Sequence, residues 1–173
     1  METSHGAAQS GTYWHSGKWG LMAVKEFNVA VALVFDDRER VLLVRKRNTD
    51  HFQLPGGKIE RGETATDTVF REVKEEVQLE LNKDSLQLIG EANGKAMTDY
   101  DAIVRAQVFA GDAEGNATPA SEIEELCWYD LNEKPSVRLA LVLETQTLPM
   151  ARDLLANRSR TNVQVSSLKE SFQ

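Results

Sequence analysis

From residue 27 onward the apolar positions follow two alternating periods. Val29 to Phe35 is a Val- and Ala-rich run closed by Asp36-Asp37-Arg38, which predicts a buried strand ending in a turn. Val41 to Val44 predicts a second strand, and the polar link between the two is short enough for an antiparallel hairpin. A turn-rich stretch, 48–62, follows, with Pro55-Gly56-Gly57 at its centre. Leu86 to Gly90, Ala102 to Phe109 and Glu125 to Leu131 predict further strands. In the last of these, Trp128 and Tyr129 alternate, so one of them enters the core.

The helical period appears twice. Over 64–78, Val69, Phe70, Val73 and Val77 fall within one apolar arc at 100° per residue. Thr64 is the expected N-cap, and Asp67 stands three residues on as the acid of a capping box. Ala140 to Ala156 is the second helical pattern, which Pro149 is expected to break or kink. Runs of strands with only two helices predict an α+β domain over 26–157. Residues 1–25 are expected to be a flexible N-terminal segment and 158–173 a flexible polar tail.

Composition narrows the class. Hydrophobic residues make up 41% of the 173 and charged residues 27%, a globular balance. No apolar run approaches the roughly 18–20 residues that span a bilayer, and the first 21 residues lack the apolar core of a secretory signal, so a cytoplasmic location and no membrane partner are expected. One cysteine, Cys127, permits no internal disulfide and reads as a small core residue beside Trp128. His5 and His15 read as solvated. The net charge of −7 argues against nucleic acid as a partner. An acidic protein acting on a small polyanion needs local compensation, which a bound metal ion supplies.

The helix over 64–78 carries such a place. Glu72, Glu75 and Glu76 share an arc beside its apolar face. Like charges at i,i+3 and i,i+4 destabilise a helix by about 0.2–0.5 kcal/mol per pair. Hard oxygen ligands gathered this way suit Mg²⁺ or Mn²⁺. The alternative is a solvated acidic face with Arg71 bridging Asp67 and Glu75. The preceding Pro55-Gly56-Gly57 weighs against it, because glycines let the backbone approach closely just before a helix start that favours anions.

Residues 57–79, GKIERGETATDTVFREVKEEVQL, resemble the Nudix box, G-x5-E-x7-R-E-U-x-E-E-x-G-U with U a bulky aliphatic. Gly57, Glu63, Arg71, Glu72, Val73, Glu75, Glu76 and Leu79 match in register, and Gln78 replaces the glycine expected at the helix exit. The surrounding element order extends the resemblance over 27–156. It implies an α/β/α sandwich around a mixed β-sheet and hydrolysis of a nucleoside diphosphate linked to another moiety. It further implies that Glu72, Glu75 and Glu76 hold Mg²⁺ or Mn²⁺ with a backbone carbonyl of Gly56 or Gly57, Gly56 being taken for the metal and Gly57 for the substrate side. Glu72 becomes the candidate general base, Arg71 the residue that orients the glutamates, and Glu63 the brace of the loop. A homodimer is compatible with the resemblance.

Outside the box the candidates are Glu122 as a further metal ligand, with Glu124 and Glu125 as competitors, and Arg45, Lys46 or Arg47 for substrate phosphates. His51 and Phe52 are candidates for a base-stacking wall, and Tyr100 for the pocket mouth. No proline stands at the position associated with ADP-ribose, where Lys95 lies. The expected activity is therefore a MutT-like (d)NTP pyrophosphohydrolase that releases a monophosphate and pyrophosphate. The alternatives are an ADP-ribose or nucleotide-sugar diphosphatase, and a non-catalytic Nudix module that binds nucleotide; the three retained glutamates speak against the last.

Overall fold

The computed structural model describes residues 25–95 and 102–170, with side chains through 161. The expectations for the N-terminal segment and for Tyr100 lie outside the described residues, apart from Lys25, which opens the first strand. In chain order the elements are β1 (Lys25–Leu33), β2 (Val41–Lys46), β3 (Gly56–Lys58), α1 (Ala65–Val77), β4 (Glu80–Leu81), β5 (Gln87–Lys95), β6 (Ala102–Ala110), β7 (Ala113–Glu114) and β8 (Ile123–Tyr129). A π-helical turn, Leu143–Thr147, leads into α2 (Leu148–Glu170).

The main sheet has the order β3-β1-β6-β5 and is mixed: β1 runs parallel to β6, and the other pairs are antiparallel. Strand β2 pairs with β8, and β4 with β7. The alternation along β1 separates two cores. Ala30, Ala32 and Val34 face one side, where Val69, Val73 and Val77 of α1 pack against them with no exposed surface. Full burial of a valine contributes about 1.5–3 kcal/mol, so this stripe is what fastens α1 to the sheet. Val29, Val31 and Leu33 face the other side, with Leu148 and Ala151 of α2. Helices on both faces of a mixed sheet make the α/β/α sandwich that the resemblance implies.

Three expectations are corrected. The hairpin between the first two strands is a single antiparallel pair, Phe35 with Val41; beyond it β1 joins β3 and β6, and β2 joins β8. The turn residues were legible, but the strand partners lie far away in sequence. The second helix does not end near Ala156 but continues to Glu170, so the segment read as a tail is helical to that residue. No Gly or Pro interrupts it after Pro149. Pro149 does not break the helix: the chain stays helical from residue 141 through the π turn into α2, and the irregularity lies in that turn just before the proline, where the Leu148 N–H donates to the Leu143 carbonyl five residues back.

The ends of α1 follow the sequence. The Thr64 hydroxyl accepts from the Asp67 N–H at 3.1 Å, and the Thr64 N–H donates to the Asp67 carboxylate at 3.1 Å, a full capping box. At the other end Gln78 adopts the left-handed conformation, φ 60°, and its N–H donates to the Lys74 carbonyl. A residue with a Cβ is strained there. Gln78→Gly should therefore raise stability by about 0.5–1 kcal/mol, read as a higher denaturation midpoint, and should leave activity nearly unchanged. A lower midpoint, or a large rate change, would show that the glutamine side chain has a role of its own.

Candidate active site

Two glycines bring β3 against α1. Gly56 has φ 143°, and a Cβ there would overlap the Ala30 carbonyl oxygen of β1. A Cβ on Gly57 would overlap the Glu72 carboxylate. The Gly56 N–H donates to Glu76 Oε2 at 2.9 Å. The loop backbone and the glutamate face of α1 thus form one surface.

Arg71 organises one side of it. Its Nε and Nη2 form a fork on Glu63, at 2.7 and 2.9 Å, and its Nη1 donates to Glu72 Oε1 at 2.7 Å. Glu75 is reached at 3.5 Å and the Lys58 carbonyl at 3.4 Å. Glu63 also accepts from the Thr68 hydroxyl at 2.8 Å and the Glu60 N–H at 3.2 Å. Hydrogen bonds from Arg71 and then Thr68 hold the Glu63 carboxyl down at about 2, and the same pairing raises Arg71. The loop before α1 is thereby clamped to its second turn. Thr68 and the Lys58 carbonyl were not anticipated; Thr68 is the polar residue on a buried arc, which is a legible signal.

Lys46 organises the other side. Glu76 is 1% exposed, and the Lys46 ammonium lies 2.8 Å from its Oε1. The same Nζ lies 2.8 Å from Glu122 Oε1. Glu76 Oε1 is a close ion-pair partner but receives no properly directed hydrogen bond among the described residues. Burial raises the Glu76 carboxyl against the opposing pull of Lys46 and the Gly56 N–H. Burial alone would lower Lys46, but Glu76 and Glu122 outweigh it and raise it. Lys46 and then the Ser121 hydroxyl, 2.6 Å away, hold Glu122 at about 2.

The remaining candidates separate by strand parity. On β2, Leu42 and Val44 pack in the core on the α1 side, and Lys46 continues that series. Arg45 has the opposite parity and is held by Glu124, Glu125 and the Thr49 carbonyl at 2.8–3.1 Å, so it is not an open phosphate contact. A bulge between Arg45 and Lys46 shifts the β2–β8 register and assigns Glu122 to Lys46. Phe52 is 4% exposed in the core on the α2 side, which removes it as a stacking wall. His51 is buried too, beside Asp50. Tyr129 is the core member of its pair and Trp128 is half-buried. Cys127 is half-buried, and burial pushes its thiol up. A groove of about 250 Å³ among Cys127, Trp128 and Tyr129, at the other end of β2 and β8, contains none of the candidate glutamates.

Among the described residues no three acidic, histidine or cysteine side chains converge as a ready ion cage. Arg71 and Lys46 lie between the carboxylates instead. The donor set nonetheless fits a hard divalent cation. It is all oxygen, it includes a buried carboxylate oxygen with no directed hydrogen bond, and the glycine beside Glu72 leaves the space a Cβ would fill. No helix of the described residues is long and apolar enough to cross a membrane.

The family model for the NUDIX domain matches residues 25–147. The dihydroneopterin triphosphate diphosphatase of Escherichia coli strain K12 is 38% identical over 63 residues, 36% of this chain and 42% of that protein. The ADP-ribose pyrophosphatase of Methanocaldococcus jannaschii is 32% identical over 113 residues, 63% of this chain and 65% of that protein. The chain thus spans less than two thirds of the length of either relative. A MutT NUDIX hydrolase from Burkholderia pseudomallei shares the fold with a TM-score of 0.59 at 21% identity, over 73% of this chain and 95% of that one. With the family model covering well over half the chain, and the Arg71–Glu63 clamp and glycine loop in place, this chain belongs to the Nudix family.

Proposed function

We propose that the chain is a metal-dependent hydrolase that cleaves a phosphoanhydride bond in a nucleotide, and that its substrate is a (d)NTP, released as nucleoside monophosphate and pyrophosphate. The observation that carries this reading is the buried Glu76 carboxylate, whose Oε1 faces Lys46 and Glu122 without a directed hydrogen bond. Keeping a carboxylate out of water costs several kcal/mol that an ion pair with a single lysine offsets only in part, which supports a role for Glu76 beyond packing. Mg²⁺ or Mn²⁺ would be held by Glu72, Glu75, Glu76 and Glu122 with the Gly56 carbonyl. Bound there, the ion supplies charge neutralisation at the phosphate oxygens and a lowered pKa for water.

The chain's own residues do the rest. A water oxygen attacks phosphorus, the bridging P–O bond breaks with pyrophosphate leaving, and the proton goes to a carboxylate, for which Glu72 is the candidate. Glu72 is only 13% exposed, and Arg71 fixes its orientation. Glu63 holds Arg71 and so acts through it as a positioning residue. The Gly57 backbone, and Lys46 once released from the two glutamates, are the candidates for contact with the substrate phosphates. A diphosphate conjugate such as ADP-ribose is the second reading. The alignment with the ADP-ribose pyrophosphatase of Methanocaldococcus jannaschii supports it, at 113 residues against 63 with the dihydroneopterin triphosphate diphosphatase.

Three measurements test this. With Mg²⁺ present, (d)NTPs should yield pyrophosphate, and excess chelator should abolish the release; turnover that survives chelation would remove the mechanism. Monophosphate from ADP-ribose or nucleotide sugars alone would select the second reading. Glu76→Gln should lower turnover by orders of magnitude while the circular dichroism spectrum stays native, and near-wild-type turnover would overturn the assignment. Gly57→Ala, which pushes a methyl into the Glu72 carboxylate, should lower kcat by about 10²-fold.

A further inference from the structure

We propose that Lys46 sets the affinity of this site for a divalent cation: its ammonium stands between Glu76 and Glu122, where the ion would bind, and leaves when the ion arrives. The inference rests on the metal-dependent reading above. Its starting point is a single Nζ at 2.8 Å from a carboxylate oxygen of each glutamate. Glu76 comes from α1 and Glu122 from the segment just before β8, so one monovalent charge ties two elements together across the site. A dication between the same two oxygens would lie within a few ångströms of that ammonium. At such distances the repulsion is several kT even with substantial screening. The two cations therefore exclude one another.

The side chain is suited to such a displacement. Lys46 is a compact charge on a flexible four-carbon stem, and it is 27% exposed, which leaves a direction in which to swing out. Arg45, its neighbour, is held by three acceptors and cannot take its place. Glu122 is 49% exposed and keeps the Ser121 hydroxyl on its other oxygen, whereas Glu76, at 1%, stays where the Gly56 N–H holds it. In the absence of metal the ammonium neutralises a buried carboxylate that would otherwise be alone. Lys46 thus stabilises the metal-free protein and weakens metal binding by the same contact.

The test is Mn²⁺ binding to the full chain, read by calorimetry and by the electron paramagnetic resonance of free Mn²⁺. Lys46→Met, which keeps the length and removes the charge, should bind Mn²⁺ about tenfold more tightly than wild type, a change well within the repulsion removed. Its metal-free form should also melt lower and regain more on adding Mn²⁺. Unchanged or weaker Mn²⁺ binding by a folded Lys46→Met would overturn the proposal. Should that variant fail to fold, acetic anhydride labelling of the wild type decides. Lys46 should label several-fold faster with saturating Mn²⁺ than without, and equal rates would overturn the proposal. Glu76→Gln separates the two readings. If it abolishes Mn²⁺ binding while Lys46→Met leaves the affinity unchanged, the metal site stands and the role of Lys46 falls. If Mn²⁺ binding is indifferent to both, both readings fall.

Discussion

A buried carboxylate is the constraint around which this molecule is arranged. Glu76 sits on α1 at the seam with the sheet, with no solvent to share its charge. Removing an ion from water is unfavourable by several kcal/mol even after relaxation, and leaving it unpaired costs about 3–5 kcal/mol. The fold answers with two donors from different places. The Gly56 N–H comes from a strand that reaches Glu76 only because its glycines allow β3 to press against β1 and α1. The Lys46 ammonium comes from β2 at a position whose parity points it to the α1 side. The valine stripe of α1 then fixes the height of the glutamate against both.

Much of this was written in local chemistry. The capping box at Thr64 and Asp67, the apolar arc of α1, and the spacing of Glu63 and Arg71 depend on residues a few positions apart, where periodicity is informative. Gln78, standing where a glycine was expected at the helix exit, adopts the left-handed φ that a glycine would supply, so the exit itself is kept. What was not legible depends on distant pairing. Nothing near Arg45 and Lys46 says which of them meets α1 until β2 is seen to continue the Leu42–Val44 series. Nothing near Glu122, Glu124 and Glu125 says which one reaches the site, because the register bulge in the β2–β8 pair decides it. Phe52 looks like a stacking surface beside a glycine loop, yet it closes the opposite core through its pairing with Leu139. The polar stretch after Ala156 reads as a tail because its composition offers no core face, but helix continuation needs only the absence of a breaker.

The charge arrangement explains how five carboxylates can share one surface. Glu63, Glu72, Glu75, Glu76 and Glu122 are opposed by Arg71 and Lys46, an excess of three negative charges within one surface. The two cations are placed differently. Arg71 is bound in a fork to Glu63 and also touches Glu72, so it is a fixed part of the frame. Lys46 has a single point charge shared between a buried partner and an exposed one. On the proposal made above, a divalent ion entering this field would gain from the excess negative charge and would replace the lysine's contact first. The frame on the Arg71 side can then stay intact while the Lys46 side changes partners. That asymmetry is the physical basis of the proposed exchange of lysine for a cation.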